Sequence, residues 1–251
     1  MTMLVGRTAI VTGGGQGVGR GVALALAGEG ANVVVCGRTA VSLEGTCDEI
    51  RRRGAAALAV SCDVGDGKQL ERLVETTVGR FGTIDVLVNN AMQVPHGTLL
   101  EITEDTIDAA WRSGPLAALR LMRLCHPHLR DGGVIVNVSS GVALQAAAPQ
   151  RGIYAATKAA LNSISRAAAT EWGPDGIRVN VIMPFARSDA VSRFIENEPE
   201  YAAQVIDQVP LRRVGDPEDD IGRAVAFLCG PSAGYITGVT LPIDGGSSFL
   251  R

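Results

Sequence analysis

Lysine is scarce in this sequence. Lys68 and Lys158 are the only two, and arginine supplies the rest of the 23 basic residues. Positive charge is not in excess either, for the formal net charge is −3. That argues against a dedicated nucleic-acid binder, whose affinity rests on clustered cations facing phosphates. Long apolar runs are also missing. None approaches the roughly 18 residues of a membrane-spanning helix, and no charged segment with a cleavage site precedes the first apolar stretch, as a secretory leader would require. No membrane partner is expected, and the expected location is cytoplasmic. The five cysteines, Cys36, Cys47, Cys62, Cys125 and Cys229, form no C-x-x-C pair. They read as buried thiols in a reducing compartment, without a disulfide framework or zinc site. His126 and His128 flank Pro127 without a cluster of acidic ligands, so no metal is expected. The 31 glycines lack the period of three that a collagen needs.

What remains is an ordinary globular composition. Of 251 residues, 46% are hydrophobic and 20% charged, enough apolar area for one sizeable core. Short Val/Ile/Leu/Ala runs recur along the chain at Thr8–Thr12, Asn32–Cys36, Ala56–Cys62, Val86–Asn89, Val134–Val138, Arg178–Ile182 and Thr240–Ile243. Near-continuous apolar runs of this length fit strands covered on both faces. Helical patterns lie between them, at Val18–Gly28, Val41–Arg53, Gly67–Arg80, Thr103–Leu129, Ile153–Trp172, Ser188–Val205 and Pro217–Cys229. Strand–helix alternation implies right-handed crossovers. The expected fold is a three-layer, doubly wound α/β structure of the Rossmann type, with about seven parallel strands and helices on both faces.

The first strand runs into Thr12-Gly13-Gly14-Gly15-Gln16-Gly17-Val18-Gly19. A glycine-rich turn between a strand and a helix is the context of a dinucleotide site. Gly13 and Gly17 let backbone approach a pyrophosphate, the helix N-terminus supplies free N–H groups, and Gly19 allows close packing on the sheet. A plain tight turn is the alternative. Further on, Tyr154 and Lys158 are four residues apart in a helical pattern, hence on one face. With three tyrosines and two lysines in the chain, that pairing is specific. A free phenol, with a pKa near 10, is a poor base at neutral pH, and a nearby ammonium favours its ionised form.

The T-G-x-x-x-G-x-G turn, Asn89-Asn90-Ala91, Ser139-Ser140 and Tyr154-x-x-x-Lys158 together resemble the short-chain dehydrogenase/reductase family, over nearly the whole chain. The resemblance implies a single NAD(P)-binding domain over 1–251 with a substrate lid at about 185–213. It implies catalysis by Ser140, Tyr154 and Lys158. Ser140 would hydrogen-bond the substrate oxygen, Tyr154 would give or take the proton, and Lys158 would also hold the nicotinamide ribose. Ser140 precedes Tyr154 by one residue more than is usual in the family, so a one-residue insertion is expected within Gly141–Gly152, and Ser139 stays as the minor alternative. Cofactor contacts are implied at Gly13, Gln16, Gly17, Val18, Gly19, Asp63, Val64, Asn90, Ala91, Tyr154, Lys158, Pro184 and Phe185. At the end of the second strand, Gly37 falls where NAD-preferring relatives carry aspartate, and Arg38 follows. A guanidinium there suits a 2′-phosphate, so NADP(H) is favoured. If Arg38 only stacks or caps, NAD(H) remains usable.

The expected function is interconversion of a carbonyl and a secondary alcohol on a small molecule, by hydride transfer, with Tyr154 as general acid/base. Enoyl reduction is disfavoured, because that branch typically separates its tyrosine and lysine by six residues. A homo-oligomer, tetramer or dimer, is implied. Three departures from the family pattern support an alternative, a nucleotide-binding regulator or scaffold with weakened catalysis. Gly114, followed by Pro115, stands where the family's fourth helix carries an asparagine of its proton relay. Met92 replaces a glycine after Asn-Asn-Ala, and Phe185 replaces the glycine after Pro184. Backbone and water, with Ser113, are expected to substitute for the missing carboxamide.

Overall fold

A computed structural model describes residues 2–129, 131–144 and 149–248. Seven strands form one sheet: β1 (Thr8–Thr12), β2 (Asn32–Gly37), β3 (Ala57–Ser61), β4 (Val86–Asn89), β5 (Val134–Val138), β6 (Arg178–Pro184) and β7 (Thr240–Ile243). Their spatial order is β3-β2-β1-β4-β5-β6-β7, and every pair is parallel. The doubly wound α/β expectation is met.

The strands are apolar throughout because both faces are covered. Val33 and Val35 belong to the core under α1 (Gly17–Gly28) and α2 (Ala40–Arg52). Val34 and Cys36, one residue out of phase, face the opposite core. That second layer includes α3 (Gly67–Phe81), α5 (Pro115–Leu129) and α6 (Gly152–Trp172). Successive strand residues point to opposite faces, so one apolar run serves two cores. The order reverses between β1 and β4, and the carboxyl ends of these strands open the crevice where doubly wound sheets bind ligands.

Three expected helices are divided. The 103–129 pattern becomes α4 (Glu104–Ser113) and α5, parted at Gly114 with φ −95° and ψ −110°. Pro115 has no N–H to offer the preceding turn and clashes with it. The 188–205 pattern becomes α7 (Asp189–Asn197) and α8 (Pro199–Asp207), for the same reason at Pro199. Phe194 and Tyr201 pack edge to face across that break, with centroids 5.9 Å apart. The last pattern starts as a π-helical stretch, Pro217–Gly222, before α9 (Arg223–Cys229). Here Gly21 touches backbone, since a Cβ on it would lie 2.2 Å from the Pro217 carbonyl carbon. Among the described residues no helix is long and apolar enough to cross a membrane.

Candidate active site

The crevice is built first from backbone. Gly13 and Gly17 have φ of +67° and +50°, values that glycine adopts without strain. The Gly13 N–H donates to Cys36 O at 2.7 Å, which holds the loop against the end of β2. A Cβ on Gly19 would meet Gly13 O at 2.2 Å, so the helix approaches the loop only as glycine. Gln16 precedes α1 in an extended conformation, yet its side chain makes no capping bond and the first turn carries no acid. Asp66 caps α3, Thr103 caps α4 and Ser188 caps α7, whereas α2, α6 and α8 start without a side-chain cap, as α1 does. The first N–H groups of α1, those of Gly17, Val18 and Gly19, are thus left for an external anion.

Thr12 and Asn90 brace this cradle. Thr12 Oγ1 accepts from the N–H groups of Asn90 and Ala91, each at 2.9 Å. Asn90 Nδ2 donates to Thr12 O at 2.9 Å and to Gly13 O at 3.4 Å. The Asn90 amide thus props the glycine loop from the end of β4. Arg38 is exposed beyond β2 and meets no partner among the described residues. Asp63 is exposed after β3 with one carboxylate oxygen bound to the Gly65 N–H, while its neighbour Val64 is buried.

The other half of the crevice carries the reactive side chains. The Ser140 hydroxyl accepts from the Val142 N–H at 3.4 Å and lies close enough to Tyr154 to lower its phenol pKa, whereas Ser139 is buried and turned toward Lys158 O at 3.5 Å. Of the two serines, Ser140 meets the phenol. The expected insertion in Gly141–Gly152 lies partly outside the described residues. Lys158 Nζ lies 5.7 Å from the Tyr154 ring centroid and donates to Val138 O at 2.6 Å. Beneath them a buried chain runs from Asn89 Nδ2 to Asn137 Oδ1, and from Asn137 Nδ2 to Ser165 Oγ, each link 2.8 Å. It ties β4, β5 and α6 together below the reactive groups.

Electrostatics here differ from expectation. Burial, the largest effect, pushes the Tyr154 phenol above its usual 10, against lowering by Ser140 and by the Arg151 charge. Burial also pushes the Lys158 ammonium down to about 8. The groups that lower the phenol here are Ser140 and Arg151, while the Lys158 ammonium donates to Val138 O. The Arg151 guanidinium lies 5.9 Å from the ring centroid. Sequence reading missed Arg151, although a cation at the start of α6 opposes the helix dipole and is a visible anomaly.

Two departures prove to be one. A Cβ on Gly114 would meet Met92 Cε at 3.2 Å and Sδ at 3.3 Å, besides Ala110 O at 2.7 Å. The methionine therefore occupies the space a side chain at 114 would need. A cavity of about 10 Å³, lined by Met92, Gly114, Asn89, Thr12 and Lys158 among others, remains beside them. Ser113 cannot serve the relay as expected. Its hydroxyl donates to Ala109 O at 2.7 Å and accepts from the Gln93 N–H at 3.0 Å, pinning the loop after Met92. Phe185 follows Pro184 as a half-buried continuation of β6; its N–H donates to Ile243 O and its carbonyl accepts from Gly215 N.

A family model described as "Enoyl-(Acyl carrier protein) reductase" matches residues 13–248. The chain is 38% identical to a 12alpha-hydroxysteroid dehydrogenase from a Clostridium species, over 98% of each chain. The chain belongs to the short-chain dehydrogenase/reductase family. It superimposes on a 7 alpha-hydroxysteroid dehydrogenase complexed with NADH and 7-oxo glycochenodeoxycholic acid, with a TM-score of 0.93, 32% identity, and coverage of 98% and 96% of the two chains. A Burkholderia cenocepacia short chain dehydrogenase in complex with NADP gives a TM-score of 0.90 at 32% identity, covering 98% and 99%. As a short-chain dehydrogenase/reductase the chain is an NAD(P)-dependent oxidoreductase.

Proposed function

We propose that this enzyme interconverts a small-molecule ketone and the corresponding secondary alcohol by hydride transfer, with NADP(H) favoured and NAD(H) usable. The observation that carries the reading is the meeting of Ser140, Tyr154 and Lys158 at the carboxyl end of β5. The residues present fit a dinucleotide. The uncapped start of α1 suits its pyrophosphate, the Asp63 carboxylate its adenine, and Arg38 a 2′-phosphate where an acidic residue would repel it. Pro184 and Phe185 border the place for its carboxamide end. That cofactor supplies or accepts the hydride.

The protein's own groups handle the proton. A phenol raised above 10 is fully protonated at neutral pH, so Tyr154 is poised to donate to a carbonyl oxygen as that oxygen gains charge. Ser140 hydrogen-bonds the same oxygen and steadies the developing charge. In the reverse direction the phenol must ionise, and Ser140 and the Arg151 charge favour that form. The matching family model is named for enoyl reduction, at a carbon–carbon double bond; the four-residue Tyr154–Lys158 spacing supports carbonyl chemistry instead. The segment 185–213, with α7 and α8, is read as the substrate lid. Exposed Ala156, Ala159, Ser163 and Ala167 along α6 support a face for a second copy of the chain, and five buried free thiols fit the cytoplasm.

The test is Tyr154→Phe. We expect kcat to fall by about 10²–10⁴-fold, with cofactor affinity by fluorescence titration nearly unchanged. Equal turnover by the variant refutes the assignment. Tight nucleotide binding without turnover on a broad panel of ketones and alcohols would favour the regulatory reading, which the Met92–Gly114 contact and Phe185 support.

A further inference from the structure

A second cavity lies at the opposite, amino-terminal edge of the sheet, away from Tyr154. Its volume is about 360 Å³, within the range of small-molecule sites. Arg7, Gly132, Gly173, Arg178, Cys229 and Thr237 are on its wall. Arg7 precedes β1 and Arg178 opens β6, so two strand starts aim two guanidiniums at one space. Arg7 Nη1 donates to Gly132 O at 3.0 Å. Arg178 donates to Ile236 O at 3.3 Å and to Gly230 O at 3.4 Å. These bonds to neutral carbonyls leave further N–H donors on both groups.

The charge of this wall is not balanced. No carboxylate among the described residues lines the cavity. Asp175, next to Gly176 of the wall, sets its carboxylate 3.0 Å from His126 Nε2. Cys229 is the one acidic group there, and burial pushes its thiol up to about 12, so it stays neutral. Burial, followed by the Arg7 charge, works against the charged form of Arg178. Arginine does not deprotonate in proteins, so the repulsion persists until an anion relieves it. This happens in a protein whose net charge is −3, so the positive spot is local rather than part of a general excess.

We infer that this cavity is a binding site for a small multivalent oxyanion of the phosphate or polycarboxylate class, held by the Arg7 and Arg178 guanidiniums. The site is separate from the cofactor cradle. Charge-assisted bonds from two forks would fix such an anion between β1 and β6.

Calorimetric titration of inorganic phosphate into the full chain, with the carboxyl edge saturated by NADPH, tests this. Saturation keeps phosphate from the start of α1, and a failure of NADPH to bind is seen separately and bears on the cofactor reading alone. We expect one phosphate per chain, with affinity about tenfold weaker in Arg7→Gln, the loss of one charge-assisted contact. Gly173→Glu is the second variant. Gly173 has ordinary helical dihedrals, φ −55° and ψ −41°, and a Cβ there meets nothing within 4 Å. Its tethered carboxylate should raise Tm without phosphate and abolish the phosphate response. If Arg7→Gln fails to fold, Gly173→Glu decides. No response beyond that of chloride at matched ionic strength overturns the site, as does a response that persists unchanged in Gly173→Glu.

Discussion

The two halves of the crevice are built from different materials. On the side of β1, β2 and β3, contacts are prepared by backbone: positive-φ glycines and an uncapped helix start, with the Asn90 side chain reaching over from the end of β4 to prop the loop. On the side of β4, β5 and β6, they are prepared by side chains that are buried, titratable and mutually dependent. The first half changes little with pH and depends on local sequence. The second depends on residues far apart in the chain, Met92 and Gly114 among them.

If that division is right, pH dependence of stability should come from the second half. Lys158 titrates near 8 in the fold and 10.5 outside it. Below pH 8 the fold bears the full cost of burying the ammonium. That cost fades as pH rises from 8 to 10.5, because the unfolded chain then binds more protons than the folded one. The parent should therefore gain on Lys158→Met across this window, by about 3 kcal/mol in all. Denaturant titrations at several pH values give the difference, and parallel curves would break the comparison.

The first half should be sharpened by Arg38→Asp. Losing a charge-assisted contact and adding repulsion should weaken NADP(H) by about 10–100-fold, while NAD(H) affinity holds or improves. Competitive titrations measure both, and an unchanged ratio would assign Arg38 to mere stacking.

Interdependence in the second half predicts non-additivity. Gly114→Asn alone should destabilise by about 1–3 kcal/mol, as an overpacked core does, because Met92 and Ala110 O stand in the way. Adding Met92→Gly should recover much of that loss, and a double-mutant cycle reads the coupling. Additive effects would mean that the two positions are independent. The smallest effect is expected outside the crevice. Asp66→Ala removes the cap that accepts from the Lys68 and Gln69 N–H groups, at about 1 kcal/mol, with kcat/KM unchanged.

Legibility in the sequence followed the same division. Every strand was readable, because a strand buried on both faces announces itself as an apolar run. The glycine turn was readable because its requirements are local. The breaks at Gly114–Pro115 and Glu198–Pro199 were written in the sequence too, but continuous helical periodicity on either side hid the second. What could not be read was distance across the fold. Met92 and Gly114 stood as two separate anomalies until the fold brought them into contact. Tyr154 looked acidified by Lys158 from spacing alone, whereas burial, a property of the surrounding layers, is the largest effect on its phenol. Ser113 looked free to relay a proton, and the loop after Met92 had claimed its hydroxyl.

The Asn90 amide has a consequence for how defects in this enzyme are diagnosed. It links the end of one strand to the glycine loop after another. Damage to β4, or to any residue that shifts it, will be transmitted to the loop and register as poor nucleotide affinity. A weak-binding variant mapped to that strand is thus a fault in the foundations, and redesigning the ligand contacts will not repair it.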